Sequence, residues 1–256
     1  MDIKKIDEYA LKLLKKAGDN IRKALENEMK IEEKADKDDL VTNIDKETEE
    51  FFVESIKKEF PEHKILGEEG IGEKITNLKG IVWILDPIDG TMNFIVQKRN
   101  FAISLGIFED GVGKLGYVYD VMREQIYSAV KGNGALLNGN PIAPVNNSEK
   151  LEDTLIIAGY VETIKYYPKI IQLIEKSHGM RFLGSAALEM MEIGSGRAGA
   201  FIHKGLNPWD IAGSVVILEE LGVKISRING DEVNILEKGS LIAATANIHD
   251  NLINEL

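Results

Sequence analysis

A mixed α/β chain of the α+β kind, with a largely antiparallel sheet in its first half and a mixed one in its second, is predicted by three features of this 256-residue sequence. Residues 101–108, 114–119 and 125–130 are successive apolar runs, separated by Glu109-Asp110-Gly111 and by a short polar turn, as in a β-meander. A meander makes the first sheet antiparallel and excludes a simple doubly wound fold. Residues 141–150, rich in Pro, Asn and Ser, mark a boundary between halves placed at 1–146 and 147–256, and strand and helix patterns alternate beyond it.

Each element follows from local pattern. Ile3, Ile6, Ala10, Leu13, Leu14, Ala17 and Ile21 recur at helical spacing and predict a packing helix of about six turns. Charge dominates residues 26–39, which read as a loop. Glu47, Phe51, Phe52, Val53 and Ile56 mark a second helix, for which Thr42 or Asp45 is a natural cap. A short strand leads into Gly67-Glu68-Glu69-Gly70, which by itself reads as an acidic turn. Asn133-Gly134 and Asn138-Gly139 are tight-turn signals. The second half predicts a strand at 154–158, one helix over 163–177, and a strand turning into a helix through Glu189 to Ile193. Gly194 to Gly199 matches GxGxxG, but a helix precedes it and a strand follows, so it reads as a helix end rather than a dinucleotide fingerprint. Asn207-Pro208-Trp209-Asp210 opens a helix over 211–221, with Asp210 a possible cap. Strands at 223–226 and 240–244, with a turn at Asn229-Gly230, close the chain.

Composition narrows the chemistry. A formal net charge of −11 opposes binding to nucleic acid or to an anionic membrane surface. No run reaches 18 uncharged apolar residues, and the N-terminus lacks the apolar core of a signal peptide, which leads to the expectation of a cytoplasmic protein. With no cysteine, disulfides, zinc-thiolate sites and thiol nucleophiles are excluded. The four histidines show no ligand spacing and read as surface or loop residues.

The chemistry centres on residues 81–94. Ile81 to Leu85 is a short apolar run suited to a buried strand, and Pro87 should turn the chain just after Asp86. Asp86, Asp89 and the intervening carbonyls can then converge as oxygen ligands for a hard divalent cation. Gly90 and Thr91 are expected to open a helix whose free N–H groups would favour an anion. An ordinary Asp-Pro-Gly turn explains the same residues about equally well.

Asp86-Pro-Ile-Asp-Gly-Thr91 followed by Asn93-Phe94, together with Gly67-Glu68-Glu69 upstream and Pro208-Trp209-Asp210 downstream, resembles the inositol monophosphatase family of magnesium-dependent, lithium-sensitive phosphatases. The resemblance runs from about Lys34 to Ala244, with the three acidic motifs in the family's order. It implies alternating helix and sheet layers (αβαβα) and a homodimer. It also implies Glu68, Glu69, Asp86, the Ile88 carbonyl, Asp89 and Asp210 as ligands for two or three Mg²⁺ ions, with Mn²⁺ a substitute. Asp45 and Thr91 would aim the attacking water, with Glu68 beside them. Asp89, Gly90, Thr91, Gly184, Ser185, Ala186 and His203 would face the substrate, and Lys34 would lie near the metals.

The implied reaction is hydrolysis of a small phosphorylated polyol, sugar or nucleotide, with inositol monophosphate first and fructose 1,6-bisphosphate or NADP(H) as alternatives. His203 departs from the pattern, standing where several family members carry a glutamate that hydrogen-bonds ring hydroxyls. Met92-Asn93-Phe94 resembles the inositol phosphatase branch rather than the nucleotide 3′-phosphatases. A non-catalytic protein that uses the acids only for metal-dependent association is the remaining alternative.

Overall fold

A computed structural model describes residues 1–26, 30–33 and 40–256; Lys34 lies outside the described residues. Helix α1 (Ile3–Ala24) starts where the Asp2 side chain accepts the Lys5 N–H, and buries its Ile6, Ala10, Leu13, Leu14, Ala17 and Ile21 stripe. Strand β1 (Ile31–Glu33), inside the stretch expected to be loop, pairs antiparallel with β2 (Leu40–Thr42) just after it. Charged residues are compatible there because this two-stranded ribbon lies outside the main sheets. Helix α2 (Asn43–Glu59) follows, then β3 (Lys64–Gly67), β4 (Ile81–Asp89), α3 (Thr91–Gln97) and the meander β5 (Ala102–Glu109), β6 (Val112–Asp120) and β7 (Gln125–Val130). Two short strands that the sequence reading did not identify, β8 (Ala135–Leu137) and β9 (Asn140–Pro141), finish the sheet. Positive φ at both Asn138 and Gly139 forms the turn between them.

The second half runs β10 (Ile156–Ala158), α4 (Tyr160–Tyr166), α5 (Ile170–Lys176), β11 (Met180–Arg181), α6 (Ala186–Gly194), β12 (Ala200–Leu206), α7 (Pro208–Glu220), β13 (Lys224–Ser226), β14 (Gly239–Ala244) and α8 (Ala246–Glu255). The single helix expected over 163–177 is two. Tyr167, before Pro168, takes φ −127° and ψ 72°, because a proline disfavours helical backbone in the residue preceding it. The chain closes on a helix rather than a strand: α8 buries Ile248, His249 and Leu252. Gly196, at φ 68°, ends α6 as a helix stop, and β12 follows.

The main sheet has seven strands in the order β3-β4-β5-β6-β7-β8-β9, antiparallel except for β3 against β4. The second has five, β11-β10-β12-β14-β13, with β10 parallel to both neighbours and the remaining pairs antiparallel. Three hydrophobic clusters separate five layers. One packs α1 and α2 on the outer face of the main sheet. Another places α6 and α7 between the two sheets. The third covers the far face of the second sheet with α5 and α8. This is the αβαβα arrangement. No helix among the described residues is long and apolar enough to cross a membrane.

The central layer is unusually close. A Cβ on Gly213 of α7 would stand 2.4 Å from the Tyr117 carbonyl oxygen and 2.9 Å from the Leu105 nitrogen; one on Gly106 of β5 would stand 2.5 Å from the Ala212 oxygen. Helix and strands therefore meet backbone to backbone, which sets the depth of Asp210, one turn earlier on α7, relative to the acids of β4. Gly213→Ala is expected to cost about 1–3 kcal/mol, because rigid main chain cannot yield to the added methyl. For a chain of this size that lowers the Tm by roughly 2–4 °C per kcal/mol, measurable by circular dichroism melting.

Candidate active site

The expected strand end at Asp86 lies three residues early: β4 continues to Asp89, with a register shift against β5 between Asp86 and Asp89. This irregularity accommodates Pro87, which has no N–H to donate to a ladder. The Asp86 Oδ1 takes up the neighbouring Ile88 N–H at 3.0 Å. Gly90, at φ 92°, then turns the chain into α3. A Cβ there would stand 3.0 Å from the Gly184 carbonyl, so the 90 turn and the 184 turn touch through their backbones. Asn93 joins them by donating to Leu183 O at 2.7 Å and Asn100 O at 2.9 Å.

Asp45 and Asp210 are structural twins. Each is the third residue of its helix, and each offers one oxygen to the N–H of the cap: Thr42 N to Asp45 Oδ2 at 2.9 Å, and Asn207 N to Asp210 Oδ2 at 2.7 Å. Capping thus occupies one carboxylate oxygen and anchors the other. The second oxygen of Asp45 meets the Thr91 hydroxyl at 3.3 Å, and that hydroxyl also lies 3.1 Å from the Ile88 carbonyl. Asp45 is 1 % exposed, and burial raises its pKa, an effect only partly offset by the Thr42 bonds.

Around this pair the acids crowd. Asp86 is buried; desolvation first, then Glu68, Asp89 and Asp210, lift its pKa well above the carboxylate range, and its carboxyl hydrogen-bonds that of Glu68. Burial lifts Asp89 to about 6 against the bonds donated by the Ser185 hydroxyl and, at 2.8 Å, by the Ala187 N–H. Burial, then Asp89, lift Asp210 to about 8. Burying like charges together favours their neutral forms. Glu68 is half-buried at the end of β3, its N–H bonded to Leu85 O at 3.3 Å; Glu69 follows it.

Glu68, Asp86, Asp89, Asp210, Asp45 and Thr91 therefore share one neighbourhood. Ser185, 1 % exposed, reaches Asp89 rather than open space, while Gly184 and Ala186 flank it. His203 has its Nδ1 accepting the Gly205 N–H at 3.1 Å and its ring over Gly159, where a Cβ would clash at 1.9 Å. Burial lowers its pKa to about 4, so it is neutral and carries its proton on Nε2.

Sequence reasoning passed over two buried glutamates. Glu49, 0 % exposed, and Glu189, 1 % exposed, accept backbone N–H groups of the 69–72 segment and of Leu183 and Gly184. Glu49 lies on the buried stripe of α2, and Glu189 stands amid Leu188, Met190 and Met191. A lone acid on an apolar stripe was the available signal.

Two other histidines are less exposed than expected. His63 accepts the Trp83 indole N–H at 3.0 Å. His249 is buried, its Nε2 lying 2.9 Å from Ser226 Oγ and its Nδ1 3.7 Å from Asp250. This trio is not a nucleophile system. The Ser226 hydroxyl also lies 2.8 Å from Arg227 O, to which it donates, and His249 Nδ1 has no hydrogen-bond partner among the described residues to orient the ring as a base.

The donors fit a hard divalent cation in kind: carboxylates and the Ile88 carbonyl, with neither thiol nor imidazole among them. Among the described residues no three of His, Cys, Asp or Glu form a finished cage.

The description "Inositol monophosphatase family" matches residues 2–256. The chain belongs to the inositol monophosphatase family. It is 45 % identical over 253 residues to the inositol-1-monophosphatase of Bacillus subtilis, covering 98 % of this chain and 96 % of that one. It is 36 % identical over 247 residues to the fructose-1,6-bisphosphatase/inositol-1-monophosphatase of Thermotoga maritima, covering 96 % and 93 %. A solved IMPase/NADP phosphatase, 32 % identical over 100 % of this chain and 96 % of its own, superposes with a TM-score of 0.94 in complex with NADP and Ca²⁺ and of 0.92 with Mg²⁺ and phosphate.

Proposed function

We propose that this member of the inositol monophosphatase family hydrolyses a phosphate monoester of a small polyol, sugar or nucleotide with the aid of divalent cations, Mg²⁺ foremost. The observation that carries the reading is the meeting of the buried Asp45 and its partner Thr91 with the mutually repelling acids Glu68, Asp86, Asp89 and Asp210. Glu68, Asp86, Ile88 O, Asp89 and Asp210 would hold the cations, with Glu69 beside them. Bound there, two or three Mg²⁺ ions would lower the pKa of a water and stabilise the departing alkoxide. Asp45 offers the water a proton acceptor: its capping bonds hold the carboxylate rigid, and its raised pKa brings it closer to the operating pH. Thr91 fixes the direction of attack, since its oxygen sits between Asp45 and the Ile88 carbonyl. The N–H groups of Gly90 and Thr91 at the start of α3 would take phosphate oxygens.

Inositol monophosphate is the first substrate of this proposal, as in the Bacillus relative. His203 supports keeping fructose 1,6-bisphosphate and NADP⁺ beside it, because a neutral ring with Nε2–H presents a donor where a carboxylate would present acceptors. A homodimer in the cytoplasm belongs to the same proposal, and light scattering after gel filtration checks the dimer. The deciding assay is phosphate release from inositol 1-phosphate, fructose 1,6-bisphosphate, NADP⁺ and adenosine 3′,5′-bisphosphate, with and without Mg²⁺. Release that requires Mg²⁺ is expected, and the highest kcat/KM names the substrate. A folded, metal-binding protein that releases phosphate from none of them would be a binding protein instead.

A further inference from the structure

The chemistry above leaves Glu49 without a task, although it is wholly buried and charged residues are rarely so. It lies one helical turn after Asp45 on α2. Its Oε2 accepts the Glu69 N–H at 2.7 Å; its Oε1 accepts the Ile71 N–H at 2.8 Å and the Gly72 N–H at 3.4 Å. The segment so held is bracketed by main-chain bonds at its ends, Glu68 N to Leu85 O and Glu73 N to Ile65 O. Between those ends the Glu49 carboxylate accepts the Glu69, Ile71 and Gly72 N–H groups, which are part-buried in a turn outside the strands. Gly67 completes the fit: a Cβ there would stand 2.2 Å from Glu49 Cδ, so only a glycine lets the segment close over the carboxylate.

We propose that Glu49 is a positioning residue that presents Glu68 and Glu69 to the divalent cation, and that by sharing α2 with Asp45 it sets the spacing between the water-aiming acid and the cation-side acids. The inference rests on the metal-dependent reading above. A charged acceptor suits the task, because hydrogen bonds to a carboxylate are stronger than those to a neutral carbonyl. Groups that orient ligands from behind typically carry a 10–100-fold share of metal affinity, on the order seen when such partners are removed.

Two measurements test it. In the metal-free wild type, hydrogen–deuterium exchange resolved by NMR should find the Glu69, Ile71 and Gly72 amides protected although they lie in a turn. In Glu49→Gln, which keeps the volume but turns an NH₂ toward one of those N–H groups, the three amides should exchange faster. Mn²⁺ affinity, read by electron paramagnetic resonance, should fall about 10–100-fold. The loss of kcat/KM should be largely recovered by raising Mg²⁺, a recovery that general unfolding would not give. Unprotected amides in a wild type that binds Mn²⁺ would overturn the clamp alone. Unchanged Mn²⁺ affinity in a variant whose amides have lost protection would overturn its role toward the cation. A wild type with protected amides and no Mn²⁺ binding would overturn the metal reading, and this inference with it. If Glu49→Gln does not fold, diamagnetic Mg²⁺ should further slow exchange of the three wild-type amides, and no change would count against the proposal.

Discussion

Asp86→Asn is expected to lower kcat/KM for phosphate release by about three orders of magnitude while leaving the metal-free protein as stable as the wild type or more so. The two halves of this expectation have separate causes. Asparagine has the shape of aspartate and keeps an oxygen for the Ile88 N–H, so the bulge of β4 survives. Its amide can donate to Glu68, with which Asp86 already shares a hydrogen bond, and it removes an acid whose ionisation burial, Glu68, Asp89 and Asp210 all oppose. A neutral amide in place of an acid that the fold must keep protonated should cost the metal-free protein nothing, and should relieve it where the acid would ionise. The cation, however, loses an anionic ligand, and the charge stabilisation that such an ion provides amounts to several kcal/mol, each 1.36 kcal/mol being tenfold in rate. Thermal melts in EDTA and steady-state phosphate release, run on the same preparation, decide it. A variant that melts far below the wild type would mean that Asp86 is a structural residue, and one of unchanged activity would remove it from the site. Asp210→Asn should lose activity similarly but gain less stability, because its Oδ2 also caps α7 through Asn207.

Much of the candidate site was legible because the acids sit in short linear motifs whose neighbours impose the geometry. Pro87 and Gly90 force the irregular end of β4, and Asn207 and Pro208 open α7 so that Asp210 falls at its third residue. Asp45 could be read as a cap or as a catalytic acid, and the structure shows why the alternatives do not compete: one oxygen binds Thr42 N and the other faces Thr91. The fold was legible where periodicity is strong, as in α1 and the meander. It was not where a few residues pair only because tertiary structure supplies a partner: β1, β8 and β9 have too few residues to show any alternation. The break at Pro168 was readable from the proline itself, but the helical pattern on both sides masked it. Glu49 and Glu189 showed only as lone acids on apolar stripes, and their task was hidden for a different reason. Their partners are main-chain N–H groups, which carry no sequence signal, and the segments they hold come close only once the layers have packed.

In EDTA the protein should lose stability as the pH rises from about 6.5 to about 8, and saturating Mg²⁺ should flatten or reverse that slope. The sign follows from where the acids titrate. An unfolded aspartate takes its proton near 3.8, whereas in the fold burial and neighbouring acids move Asp89 to about 6 and Asp210 to about 8. Burial likewise moves Glu189 to about 7. Over this window the folded state binds more protons than the unfolded one, so the stability these groups contribute is complete below about pH 4 and is lost as the pH climbs through their folded values. The histidines act in the other direction. His203, brought down to about 4 by burial, and His63 and His249, lowered for the same reason, contribute stability above their unfolded value of 6.5 and lose it as the pH falls. The two trends oppose each other between about pH 4 and 6.5, and above 6.5 the carboxylates act alone. A cation that binds the ionised acids gains affinity as the pH rises through the same interval, and at a hundred times its Kd it adds about 2.7 kcal/mol. The gap between melts with Mg²⁺ and with EDTA should therefore widen from about pH 6.5 to 8, and should shrink in Asp86→Asn at every pH. A metal-free melting temperature that rises across this window would show that the acids are paired with cationic groups of the protein rather than with one another. In that case a divalent ion would find no unmet charge to bind.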